Sequence, residues 1–171
     1  MEAALKDFTK KKLDELEKKL LKFCEQTLDK AIQSRFDAPG AHNFTGNLVN
    51  SIVVGLWREG RLVQGFLPGS KNNVEMVKRK KMTAGVWYRY KIDYDTVPNT
   101  VFYGTVTTNQ GKGRQDALNF LETFKPDPKA AFHIAVAYTT EYANWVETMR
   151  GTTGFMKTVE WIKMNTETLI K

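Results

Sequence analysis

The sequence predicts an α+β fold: a long N-terminal helix and a C-terminal helix packed on a small, mainly antiparallel β-sheet, with an inserted basic loop and short helix. Three observations carry this reading. Residues 2–36 contain neither Gly nor Pro and place apolar side chains at helical intervals. Residues 86–94 alternate strictly between two faces, which is the period of a strand. Residues 155–170 return to helical spacing.

The first element follows from Leu5, Phe8, Leu13, Leu16, Leu20, Phe23, Leu28, Ile32 and Phe36, which recur at mostly three- to five-residue steps. Such a helix runs about 50 Å, longer than one domain needs, so one end is expected to project or to pack across a neighbouring subunit. Its Leu13 to Phe36 part is expected to cover a sheet, with the side bearing Lys10, Lys11, Lys12, Lys18 and Lys19 in solvent. Pro39 and Gly40 stop it. A Thr45-Gly46 turn opens the next segment, where Leu48, Val49 and Ile52 have helical spacing and Thr45 is the expected N-cap. Residues 52–67 read as a hairpin around Arg58-Glu59-Gly60-Arg61.

In the strand at 86–94, Val86, Tyr88, Tyr90, Ile92 and Tyr94 share one face, while Trp87, Arg89, Lys91 and Asp93 share the other. Further strands are expected at 100–107 and 131–139, with a short helix at 114–124 between them. Periodicity leaves residues 141–148 open between a continued strand and a helical turn. At 171 residues the chain is expected to form a single domain spanning 1–171.

With 42% hydrophobic and 26% charged residues, the composition is that of a folding globular chain. A single cysteine, Cys24, excludes an intramolecular disulfide and any CxxC zinc or redox site. Two histidines, His42 and His133, make a His-rich metal site unexpected, and no metal or cofactor is expected. The charged amphipathic N-terminus has no signal-peptide core and no stretch approaches 18 apolar residues, so a soluble chain without membrane contact is expected.

No phosphate-binding glycine loop, nucleophile elbow or HExxH is present, so the chain is expected not to be an enzyme. A small hydrolase would need at least two of Asp93, Asp95, Glu141 and Glu147 within a few ångströms of each other. The net charge is +7 and the pI about 9.4. Over half of that charge sits in residues 71–81, where Lys71, Lys78, Arg79, Lys80 and Lys81 face one acid, Glu75. Such a cluster is first of all a solvated loop, and it is a candidate contact for DNA or an acidic protein surface. Trp87, Tyr88 and Tyr90 follow it directly, offering either a stacking surface or core residues.

Two segments carry a family resemblance. Phe44-Thr45-Gly46-Asn47-Leu48-Val49-Asn50-Ser51-Ile52 resembles the TGxLxxSI turn of the tail-completion proteins of long-tailed bacteriophages, also described as minor tail, neck or head–tail joining components. In order after it, the segment from Val136 to Thr148, with Tyr142-Ala143-Asn144-Trp145-Val146-Glu147, resembles the family's xxYAxxVExG element. The likeness covers residues 10–67 and 131–170 and leaves about 68–130 as an insertion relative to the short family members. It departs at Thr148-Met149-Arg150-Gly151, where the family places Gly directly after Glu-x.

The resemblance implies a structural virion protein of a tailed phage or prophage. Such a protein forms a homo-oligomeric ring at the head–tail junction, after assembly from the host cytoplasm. Its partners would be copies of itself, the head connector or adaptor, the tail tube or tail terminator, and DNA in the lumen. Within that reading Thr45, Gly46, Leu48, Ser51 and Ile52 form a turn and core motif. Tyr142, Trp145, Val146 and Glu147 are a candidate subunit interface, although the same residues would serve a monomer's core. The alternative is a basic nucleic-acid-binding protein of unrelated family.

Overall fold

The computed structural model describes residues 2–37, 46–69, 85, 87–94, 97–105, 111–141, 143–144 and 154–170. The α+β architecture is as the sequence predicts: a long N-terminal helix and a C-terminal helix against a small antiparallel sheet. Helix α1 spans Glu2–Phe36 and the one-turn α2 spans Asn47–Asn50. Strands β1 (Ile52–Arg58) and β2 (Arg61–Phe66) form the hairpin. Strands β3 (Trp87–Tyr94) and β4 (Val97–Thr105) form a second antiparallel ribbon. Helix α3 (Lys112–Thr123), strand β5 (Phe132–Tyr138) and helix α4 (Gly154–Ile170) complete the described elements.

The three-stranded sheet has the order β2-β1-β5, with every neighbouring pair antiparallel. Strand β1 is central and is covered on both faces, which explains its almost uninterrupted apolar run. Its even positions, Ile52, Val54 and Leu56, pack against Leu20, Cys24, Leu28, Ala31 and Ile32 of α1. Its odd positions, Val53 and Trp57, pack with Ala117 and Leu121 of α3 on the opposite face. Each large apolar side chain buried this way contributes about 1.5–3 kcal/mol relative to exposure. On the α3 face a Cβ at Gly55 would collide with the Trp57 ring, so the glycine lets that ring lie flat across the strand.

Helix α4 lies along α1 on its β5 side. Trp161 stacks on Phe23 with ring centroids 5.5 Å apart, and Phe155 meets Tyr138 of β5 edge-on at 5.2 Å. The Tyr138 hydroxyl donates to the Ala31 carbonyl at 3.2 Å, tying the end of β5 to α1. From Leu5 to Lys12, by contrast, every residue of α1 is exposed, with Leu5 at 65% and Phe8 at 59%. The first turns of the helix therefore extend past the sheet. Where the helix leaves it, Arg58 Nη1 donates to Asp14 Oδ1 at 2.8 Å and Glu17 Oε2 at 2.9 Å.

Three details differ from the expectations. Strand β4 begins at Val97 rather than at 100 and ends at Thr105. Pro98 is tolerated because it falls at the register shift between Ile92 and Tyr94, where it has no paired residue in the ladder. The helix expected at 114–124 starts two residues earlier, at Lys112. The residue capping α2 is Gly46, not Thr45, which lies outside the described residues.

Candidate functional site

The two segments that carry the family resemblance meet at one corner of the sheet. Gly46 enters the turn with φ 79° and ψ −9°, a left-handed conformation that glycine adopts without steric cost. The Asn50 N–H then closes the turn on the Gly46 carbonyl at 2.9 Å. Ser51 follows, fully buried, and its hydroxyl donates to the Leu48 carbonyl at 2.8 Å. From the other segment, the Thr139 N–H and hydroxyl both donate to the Ser51 carbonyl, each at 3.1 Å. The Thr140 hydroxyl sits 3.4 Å from Ser51 Oγ. Because Ile52 pairs with Tyr138, this corner begins the β1–β5 seam.

The corner is built to hold shape. Ser51 Oγ bonds the Leu48 carbonyl and lies beside the Thr140 hydroxyl, neither of which is a general base that would activate it as a nucleophile. Leu48 and Ile52 are buried, the latter in the cluster under α1. After Tyr138 the chain leaves the strand: the Ala143 N–H bonds the Thr140 carbonyl at 3.0 Å, so the segment turns rather than continuing β5.

Asn47 extends the corner to α3. Its buried Oδ1 accepts from the Gly111 N–H at 3.1 Å and the Gly113 N–H at 3.3 Å, satisfying two donors that the helix start leaves open. The cap residue Gly111 supplies no side-chain hydrogen bond of its own, so the cap comes from α2. Sequence reasoning placed Asn47 inside the turn motif without giving it this role. The two glycines at 111 and 113 were the available signal: Gly111 takes the left-handed cap conformation, and Gly113 lets the Asn47 backbone approach closely. Arg114 adds a bond from Nη1 to the Pro68 carbonyl at 3.1 Å.

The remaining sequence-predicted residues are distributed as follows. Tyr142, Trp145, Val146 and Glu147 of the candidate interface lie outside the described residues, as do Lys71, Lys78, Arg79, Lys80 and Lys81 of the basic cluster and His42. Of the four carboxylates, Asp95 and Glu147 lie outside them too, Asp93 occupies a β3 position, and Glu141 is exposed. His133 sits half-buried on β5 with its ring 5.6 Å from that of Phe124. Among the described residues no three His, Cys, Asp or Glu side chains gather as a metal site, and no helix is long and apolar enough to cross a membrane.

Electrostatics at the described surface are local. The hydrogen bonds to Asp14 and then Glu17 hold the Arg58 guanidinium above its ordinary pKa, and the Lys12 hydrogen bond holds Glu15 below its own. Cys24, by contrast, is fully buried in the core under α1, and burial pushes its thiol up to about 12. No known protein family matches the chain, and no curated protein or solved structure matches it either, so its functional reading rests on its own residues.

Proposed function

We propose that the chain is a structural protein of a tailed-phage or prophage virion that assembles as a ring at the head–tail junction, as a tail-completion or neck component. It acts by assembly and not by catalysis. The observation that carries this reading is the Ser51 corner. The two family-like segments, far apart in sequence, share hydrogen bonds from Thr139 to Ser51 and the start of the β1–β5 seam. Ser51 and Thr139, one from each segment, thus belong to one corner of the sheet, which supports reading the two segments together. The helical extension at Leu5 and Phe8 supports the assembly role, because it offers apolar surface beyond what the chain's own sheet covers.

In this reading the basic cluster at Lys71 to Lys81 faces DNA in the lumen or an acidic connector surface. The test is the mass of the purified protein across a concentration series, followed by negative-stain imaging and by pull-down with connector and tail-tube proteins. Ring-shaped particles, or rings formed on the connector, support the reading. A monomer that ignores both partners yet binds short DNA with a steep salt dependence would replace it with the nucleic-acid-binding alternative.

A further inference from the structure

Helix α1 has two flanks beside its sheet-facing side. The flank toward β5 is filled by α4, as the Phe23–Trp161 stack shows. The strand order puts β2 on the opposite side of β1, and there, between α1 and β2, lies a groove of about 850 Å³. Leu28, Ile32 and Phe66 give it an apolar base, and Lys22, Glu25 and Asp29 stand along its α1 wall, two acids to one base. That wall, from Leu21 to Gln33, is about 18 Å long at 1.5 Å per residue.

The chain carries a matching element. The exposed start of α1 presents Leu5 and Phe8 one turn apart, and its Lys6, Lys10, Lys11 and Lys12 outnumber the acids Glu2 and Asp7. It is a helix of about 15 Å, close to the groove in length and opposite in sign to the net charge of the groove's α1 wall. The two cannot meet within one molecule. Phe8 and Leu28 belong to one unbroken helix and are about 30 Å apart along its axis.

We infer that the N-terminal turns of α1 dock, through Leu5 and Phe8, into the α1–β2 groove of a second copy of this chain. The contact is head-to-tail: each copy gives a helix end and receives one, so it propagates until the rotation between copies closes a ring. It deepens the assembly reading above and rests on it only for that closure, since the docking itself follows from the two surfaces.

The experiment uses two full-length variants with different tags, Thr9→Cys, at an exposed position beside the two anchors, and Gln64→Cys. Gln64 is exposed on β2 and lines the groove. Native Cys24 is buried and its thiol stays protonated, so it does not compete. A short bis-maleimide should join the two variants to each other in the mixture and neither variant to itself. Leu5→Glu combined with Phe8→Glu should abolish the cross-link and self-association with an unchanged circular dichroism spectrum, because both side chains are exposed in the monomer. Cross-linking of Thr9→Cys only to itself would overturn the proposal in favour of helix end against helix end. A monomer without cross-links at up to about 1 mM would also overturn it. Rings seen without the 9–64 cross-link would defeat the docking and leave the virion reading standing. The cross-link in a protein that neither forms rings nor binds connector or tail tube would do the reverse.

Discussion

Replacing Gly113 with Ala sets two known effects against each other. Within a helix, Gly→Ala ordinarily stabilises by about 0.5–1 kcal/mol. Here the new Cβ would collide with the Asn47 carbonyl oxygen and stand 2.7 Å from its carbonyl carbon and 2.8 Å from its Cα. Carbon atoms pack at about 3.5 Å or more, so the first turn of α3 must retreat by about 0.7–1 Å. The Gly111 and Gly113 hydrogen bonds to Asn47, already 3.1 and 3.3 Å, then pass out of reach. Each lost bond costs about 1 kcal/mol, and a donor left buried without an acceptor costs about 1–3.

Contact therefore outweighs propensity, and the net loss expected is about 2–4 kcal/mol. In urea, with m near 1–3 kcal/mol per molar, the midpoint should fall by about 1–2 M. Far-ultraviolet circular dichroism and tryptophan fluorescence would follow it, with Trp57 reporting from the α3 side of the sheet. The double variant with Asn47→Ala should be less destabilised than the sum of the singles, because the shared bonds are lost only once. A Gly113→Ala midpoint at or above that of the parent would refute the reasoning.

Two further outcomes follow from the core. Leu121→Ala removes the α3 side chain that packs with Val53 and Trp57, and should cost about 2–5 kcal/mol in the same urea assay. A loss below about 1 kcal/mol would mean that α3 covers the sheet only loosely. For Cys24 the folded thiol is pushed up from 9.0 to about 12 by burial, so the folded state favours the neutral form. Its contribution is complete below pH 9 and is lost as the pH rises toward 12. Relative to Cys24→Ala, the parent should therefore lose about 1.4 kcal/mol per pH unit in that window, and parallel curves would contradict this.

Helix α1 was readable because a run without Gly or Pro, with Leu20, Cys24, Leu28 and Ala31 at three- and four-residue steps, has no competing local structure. The β1–β2 hairpin was readable from Glu59-Gly60, whose backbone takes positive φ values of 50° and 78° as tight hairpin turns require. The pairing of β5 with β1 was not, because an apolar strand such as Phe132–Tyr138 carries no mark of its neighbour. That choice is made by the helical layers packed against its two faces. Asn47 escaped for a related reason. A polar residue in a turn looks solvated until α3, more than sixty residues later, brings Gly111 and Gly113 to it. Leu5 and Phe8 fitted the helical pattern but not the sheet, since period alone does not tell where a sheet ends beneath a helix.

The seam between β1 and β5 also governs the order of folding. Gly55 lies opposite Ala135, so the central strand stays without one of its two neighbours until most of the chain has left the ribosome. Until then α1 and the hairpin can associate, but the apolar edge from Ile52 to Trp57 is open to any other strand, including that of another nascent copy. A fragment ending before Phe132 is expected to aggregate, and the closing of β5 is the step at which the molecule gives up unspecific partners and becomes ready for specific ones.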